Sequence, residues 1–143
     1  MTSRSILKIL LLGTLCVPSA AAQKKFSRAV TDASLWDTIE ATSSTECEGT
    51  PTECAVKMLA EQNVRIGDWP LFSVYRLGEM DGKSVTVVFV SHKVDGDDSV
   101  AGMLYRLELS LGDVEDRTFS LDELGRQYKC ARGRTGWSKQ ICP

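Results

Sequence analysis

The spacing of apolar residues changes once along the chain, from a helical period to an alternating one. In the first part, apolar side chains recur every three or four positions, which places them on one side of a helix. They are Phe26, Val30, Ala33, Trp36 and Ile39. The hydroxyl-rich stretch 42–45 follows, and short hydroxyl side chains compete for backbone hydrogen bonds. The pattern therefore predicts a first helix over residues 26–41.

A second helix begins at a clear local signal. Thr50 suits the N-cap, Pro51 the first helical position, and Glu53 the returning partner of a capping box. The helix is expected to run to about Gln62. Its buried stripe would consist of Cys54, Ala55, Met58 and Leu59.

From Val64 onward the apolar pattern predicts strands. Residues 84–92 carry apolar side chains on both faces, which indicates a central strand covered on each side. In residues 101–111 apolar positions alternate with polar ones, Arg106 and Glu108 among them, so one face should point inward. Asp81-Gly82 is a hairpin turn signal. The remaining strands are expected at 71–77, 117–121 and 127–132.

Two helices followed by a run of strands predict an α+β fold. We expect both helices to pack on a curved antiparallel meander sheet of about five strands. In its element order this layout resembles the cystatin-like and NTF2-like folds. Such folds host enzymes, inhibitors and binding modules alike, so the layout does not identify an activity.

The first 22 residues have the three parts of a secretory signal. Arg4 and Lys8 form a basic start, an apolar core follows over residues 9–17, and three alanines stand at 20–22. The core is shorter than the roughly 20 apolar residues that a membrane span needs. A buried N-terminal helix is the alternative. The signal interpretation predicts an exported protein, periplasmic or secreted, whose mature chain starts at Gln23 and forms a single domain over residues 23–143.

Charge adds one exclusion to this picture. The chain has a formal charge of −2, and loss of Arg4 and Lys8 with the signal takes it to −4. A mildly acidic domain is a poor general binder of nucleic acid or of anionic membranes. No second apolar run is long enough to span a bilayer.

Four of the five cysteines remain after Cys16 leaves with the signal. An even number in a small exported chain indicates disulfides. We favour the pairs Cys47–Cys54 and Cys130–Cys142, which are close in sequence, and the crossed pairings are the alternative. The spacings lack the short C-x₂₋₄-C knuckles of zinc sites.

His92 is the only histidine and the one candidate general base. No nucleophile or acid stands next to it in sequence, so a solvated histidine at a strand end is the alternative. The acidic loop 95–98 lacks the ligand spacing of an EF-hand. The carboxylates of Asp37, Glu40, Glu108 and Asp122-Glu123 are scattered, and the sequence does not identify the pair that a glycosidase needs. The sequence has no Gly-x-Ser-x-Gly elbow and no glycine-rich phosphate loop. The sequence thus predicts no catalytic residue, no metal and no cofactor.

The C-terminal segment 126–143 is the most distinctive part, with five basic residues and no acidic one. Arg132 and Arg134 suit an anion, because a guanidinium binds carboxylate or phosphate in bidentate fashion. Trp137 could stack on a ligand. These three residues are the candidate binding residues. The alternative is a terminal clasp, in which Cys130–Cys142 anchors the end and Trp137 packs into the core.

The ending Cys-x-Arg-Gly-Arg…Trp-Ser…Cys-Pro, within residues 128–143, resembles the tail of uncharacterised exported bacterial proteins. The resemblance implies an exported bacterial protein and brings no catalytic residues with it. The leading hypothesis is a small non-enzymatic binding protein whose partner is an anionic ligand or another exported protein. The rivals are a small hydrolase or isomerase-like enzyme using His92, and an inhibitor of a secreted enzyme.

Overall fold

The structure is a computed structural model that describes residues 27–42, 46–96, 98–112 and 117–143. The elements of the described chain are the helix α1 (Arg28–Thr31), a 3₁₀ turn (Ala33–Leu35), β1 (Asp37–Thr38), β2 (Glu46–Glu48), the helix α2 (Pro51–Glu61), β3 (Leu71–Met80), β4 (Lys83–Lys93), β5 (Val100–Leu111), β6 (Thr118–Cys130) and β7 (Trp137–Ser138). The proposed signal peptide and Gln23 lie outside the described residues.

The described residues form seven strands of one antiparallel sheet, which confirms the α+β class, and the expected number of about five strands is too low. Four long strands form the predicted meander in the order β6-β5-β4-β3. The short strands β1, β2 and β7 all pair with β6. Local antiparallel pairing of this kind follows from the short turns between successive strands.

The two short strands expected at 117–121 and 127–132 are one strand, β6. Its pairing with β5 shifts register where Glu108 faces Glu123 and Leu109 faces Leu121, which leaves Asp122 as a bulge. Apolar residues stand at odd positions before the bulge and at even positions after it. The extra residue therefore keeps both sets on one face of the sheet.

The predicted helix over 26–41 is wrong for most of its length, and α2 is the only helix longer than one turn in the described chain. The Asp32 carboxylate accepts hydrogen bonds from the backbone and the hydroxyl of Ser34, which turns the chain after α1. Trp36 then packs on one face of the sheet and Ile39 on the other. The helical spacing was thus coincidental.

The second helix forms as its sequence predicts. The backbone N–H of Thr50 donates to Glu53 Oε2 at 2.9 Å, and the N–H of Glu53 donates to Thr50 Oγ1 at 3.3 Å. These two bonds are the capping box. The Thr50 N–H and the Thr50 hydroxyl both donate to Glu53 Oε2 and hold the pKa of the Glu53 carboxyl below its usual value, the bond from the N–H most strongly. The four predicted stripe residues are all buried.

The sheet is covered on both faces. Helix α2 packs over the face that carries Val88, Leu107 and Leu109, which we call the α2 face. The segment 27–38 packs over the opposite face, the N-terminal face, where Trp36 contacts Phe89. Strand β4 is therefore buried on each side, as predicted. Strand β5 is also buried on both faces. The prediction that its polar side chains lie on an exposed outer face is therefore wrong at Arg106, which is 1% exposed.

Both cysteine pairs lie at disulfide distance, in the favoured pairing. Cys47 and Cys54 join β2 to the first turn of α2, with Cα atoms 5.5 Å apart. Cys130 and Cys142 join the end of β6 to the chain terminus, with Cα atoms 5.4 Å apart. None of the helices in the described chain has the length and apolar character that a bilayer crossing requires.

Candidate binding groove

An open groove of about 820 Å³ lies at the end of the sheet where β4 finishes and β5 begins. Its lining combines tryptophans, lysines, carboxylates and small residues. The lining residues are Asp68, Trp69, Leu71, Ser91, His92, Lys93, Asp95, Ala101, Gly102, Lys129 and Trp137. We call this feature the groove.

The floor of the groove is a row of three residues on neighbouring strands. Gly102 pairs with Lys93 on one side and with Lys129 on the other. A Cβ atom on Gly102 would lie 3.2 Å from the His92 carbonyl oxygen and 3.4 Å from Trp137 Cη2. The indole of Trp137 therefore lies over a floor position that has no side chain, and the lysines flank it.

Trp69 forms part of the opposite wall and is the most exposed large apolar side chain of the described residues, at 92%. Its φ of 58° is in the left-handed region, which a bulky residue adopts at a cost of about 1–2 kcal/mol. Leu71, two residues further along the chain, is 73% exposed and also lines the groove. The fold thus holds a large apolar side chain away from the core at this wall.

Trp137, a predicted binding residue, does line the groove and is 41% exposed. It sits on β7, opposite Lys129 of β6. The Cys130–Cys142 bridge closes the loop that carries it. Trp137 is therefore held in position by a paired strand and a nearby crosslink, with part of its ring open to solvent.

The two predicted arginines do not converge on the groove. Arg134 donates from Nη1 to Ser138 Oγ at 3.1 Å and to the Gln140 carbonyl at 3.0 Å, so its guanidinium ties the terminal loop to itself. Arg132 is exposed on the same loop. The loop also contacts the N-terminal segment, because Lys139 Nζ donates to the Ser34 carbonyl at 2.9 Å.

His92 contributes to the groove, but its ring stands on the α2 face. The ring stacks on Tyr105 with centroids 6.0 Å apart, and Nδ1 lies 2.8 Å from the carbonyl oxygen of Lys93. Nε2 is buried and has no hydrogen-bond partner among the described residues. Neither ring nitrogen is placed to exchange a proton with a molecule in the groove.

The carboxylates that the sequence leaves scattered are mostly engaged elsewhere. Asp37 accepts from Arg126 Nε at 2.7 Å, Glu123 accepts from Arg106 Nη1 at 3.0 Å, and Asp122 accepts from Ser110. No group of three His, Cys, Asp or Glu side chains that could hold a metal ion occurs in the described ranges. These residues therefore serve the sheet and lie apart from the groove.

Two lysines, Lys93 and Lys129, line the groove. The salt bridges between described residues involve Arg28, Arg106 and Arg126, while Lys93 and Lys129 form none. Both lysines are exposed. Two ammonium groups that form no ion pair with a described residue, beside an apolar ring, suit a carboxylate attached to an apolar group.

Trp137 is the groove residue that the sequence pointed to, whereas Trp69, Lys93 and Lys129 were not predicted. The stretch Gly67-Asp68-Trp69-Pro70 is a loop signal, and a tryptophan there cannot belong to a periodic apolar face. That signal was available. The two lysines come together only through the pairing of β4, β5 and β6, which a single sequence does not reveal.

Comparison with models of protein families, with curated proteins and with solved structures finds no match for this chain.

Proposed function

We propose that the chain is a small exported, non-enzymatic binding protein that holds its ligand in the groove. The observation that carries the proposal is the exposure of Trp69 and Trp137 on one groove. Leaving one indole and part of a second in water forgoes burial that would stabilise the fold. Tryptophan is enriched among the residues that dominate binding energy, because it buries a large area at a small entropic cost.

The proposed ligand is a segment of another exported polypeptide that carries an apolar side chain next to a carboxylate. The apolar part would stack between the tryptophans, and the carboxylate would lie near the floor by Lys93 and Lys129. Asp68 and Asp95 line the same groove and would meet basic side chains of the segment. A polypeptide segment with both acidic and basic residues offers the apolar, acidic and basic groups that this groove would bind.

Two features support binding over catalysis. The burial of His92 Nε2 and the contact of Nδ1 with the Lys93 carbonyl do not favour the hydrolase or isomerase alternative, which relies on His92 as its base. The internal hydrogen bonds of Arg134 keep the terminal loop folded on itself, which does not favour the protruding probe of an inhibitor. In the binding hypothesis Arg132 remains a proposed contact on that loop, while Arg134 shapes it.

The export part of the proposal is supported by the disulfides, since such bonds persist in oxidising compartments. It agrees with the signal predicted over residues 1–22. The resemblance of the C-terminal ending to exported bacterial proteins points the same way and remains a prediction.

The test is selection from a phage-displayed library of random linear peptides against the oxidised protein. We expect peptides with adjacent acidic and aromatic or aliphatic residues to be enriched. Their affinity should fall at least about tenfold for the Trp69→Ala/Trp137→Ala variant. The affinity should also fall as salt is raised, because ammonium–carboxylate attraction at an exposed site is screened.

The matched control is Val56→Ala, which shortens an exposed apolar side chain on α2. This variant should bind the selected peptides as the unmodified protein does. Two results would overturn the proposal. One is a selection that enriches no peptide, and the other is peptides that bind the double tryptophan variant with unchanged affinity.

A further inference from the structure

Strand β3 has an open edge. It pairs with β4 on one side, and no other strand in the described part of the chain pairs with it on the other. The opposite end of the sheet differs, since β1, β2 and β7 all cover the outer edge of β6. A ten-residue edge leaves a row of backbone N–H and C=O groups able to pair with another chain.

The first half of this edge lacks the features that usually prevent pairing. Natural edge strands carry charged residues, proline or a bulge. In β3 these features fall in the second half, with Arg76, Glu79 and a register shift between Arg76 and Gly78. Residues 71–75 are uncharged, and Leu71, Phe72 and Val74 are exposed apolar residues. The regular, uncharged half is therefore competent for pairing.

We propose that two copies of this chain pair through the first half of β3, antiparallel about a two-fold axis at Ser73. This register sets Phe72 opposite Val74 of the second copy and Leu71 opposite Tyr75 of the second copy. Both are apolar cross-strand pairs, one on each face of the sheet. Arg76 would lie opposite Pro70 of the second copy, so no like charges face each other.

The two neighbouring two-fold registers place apolar side chains opposite polar ones. An axis at Val74 sets Phe72 opposite Arg76, and an axis at Phe72 sets Leu71 opposite Ser73. Residues directly opposite each other on antiparallel strands point to the same face of the sheet. The two-fold axis must therefore pass through a residue, and it can shift only by whole residues. The apolar pattern of residues 71–75 therefore selects one register, and a second copy satisfies it from its own sequence.

The pairing would also extend one wall of the groove. This part of the proposal rests on the proposed function. Leu71 lines the groove, and Tyr75 stands on the same face of β3, where its ring lies 5.3 Å from that of Phe89. Tyr75 of the second copy would then stand beside Leu71 and extend the wall that Trp69 forms. Each copy would contribute an aromatic residue to the groove of the other.

The sharpest test of the pairing is a crosslink at the proposed axis. In this register the two copies of residue 73 face each other directly, at a separation that a disulfide can bridge. The Ser73→Cys variant, oxidised with diamide, should run as a covalent dimer on non-reducing electrophoresis. Glu79→Cys is the matched control on the same strand beyond the bulge, and it should stay monomeric. A monomeric Ser73→Cys protein, or equal crosslinking by both variants, would overturn the register.

Sedimentation equilibrium of the unmodified protein tests association without any crosslink or ligand. We expect the mass to rise with concentration toward twice that of one chain. Val74→Lys should weaken the association at least about tenfold by placing a charge in the paired segment, and Met80→Lys should leave it unchanged. A single-chain mass at every concentration, or equal weakening by both lysines, would contradict the dimer. Because no ligand is used, this outcome is independent of whether the groove binds peptides.

Discussion

Replacing Arg106 with Met is expected to lower the free energy of unfolding by about 3–5 kcal/mol. Arg106 lies between the sheet and the N-terminal segment, and its Nε and Nη2 both donate to the Val30 carbonyl, at 3.1 and 3.0 Å. The same guanidinium forms ion pairs with Glu108 and Glu123. Its removal leaves a carbonyl unpaired and two carboxylates facing each other across neighbouring strands.

Urea unfolding followed by circular dichroism measures this loss. Arg28→Met is the matched control, because Arg28 pairs with Asp32 on the surface, where an ion pair contributes at most about 1 kcal/mol. Adding Glu108→Gln and Glu123→Gln to Arg106→Met should restore part of the stability, since the facing charges are then removed. Equal effects of Arg28→Met and Arg106→Met would show that Arg106 does not hold the N-terminal segment.

Replacing Trp36 with Ala should be about as destabilising, at about 3–5 kcal/mol, the usual effect of truncating a buried tryptophan. Trp36 is 3% exposed, and its ring centroid lies 5.3 Å from that of Phe89. Its indole N–H donates to the Ala29 carbonyl at 3.1 Å. Because the segment 27–38 has little regular structure, this side chain supplies much of what fixes it to the sheet.

Thermal unfolding of Trp36→Ala and Trp69→Ala compares the loss of a packed tryptophan with the loss of an exposed one. The exposed Trp69 should change stability by no more than about 0.5 kcal/mol. Gly125→Ala probes the same contact from the sheet, because its Cβ would lie 2.7 Å from Trp36 Cβ. That variant should cost about 1–3 kcal/mol through overpacking. A Trp36→Ala protein as stable as Trp69→Ala would contradict the packing described for the N-terminal segment.

The parts of the fold that the sequence predicted are those that local chemistry determines. The capping box at Thr50 and Glu53 fixed the start of α2, because both partners lie within one helical turn. The meander followed from alternating apolar residues and turn signals between neighbouring strands. Each of these features depends on residues close in sequence, so one sequence was enough to find them.

The N-terminal segment shows why the rest was missed. Phe26, Val30, Trp36 and Ile39 have helical spacing, yet Trp36 and Ile39 pack on opposite faces of the sheet. Strand pairing with β6 and the local bonds of Asp32 outweighed the helical pattern. Arg106 was placed outside for a related reason, since nothing local reveals that residues 76 positions earlier cover it.

The residues of the groove also divide into those that local sequence revealed and those that it did not. Trp137 was identified because it stands in an unusual local segment, whereas Lys93 and Lys129 meet only through Gly102 between them. The proposal of Arg134 as a binding residue rested on its residue type alone. Its residue type suits an anion, but the loop uses its guanidinium for internal hydrogen bonds.

The chain has three tryptophans, at positions 36, 69 and 137, and they allow a direct measurement of where a ligand binds. In a nitrogen–proton correlation spectrum each indole N–H gives one signal, and a selected peptide is titrated into the labelled, oxidised protein. We expect shifts at Trp69 and Trp137 and none at Trp36, whose N–H is bonded inside the fold. Saturable binding that leaves the signals of Trp69 and Trp137 unmoved would contradict the groove as the binding site.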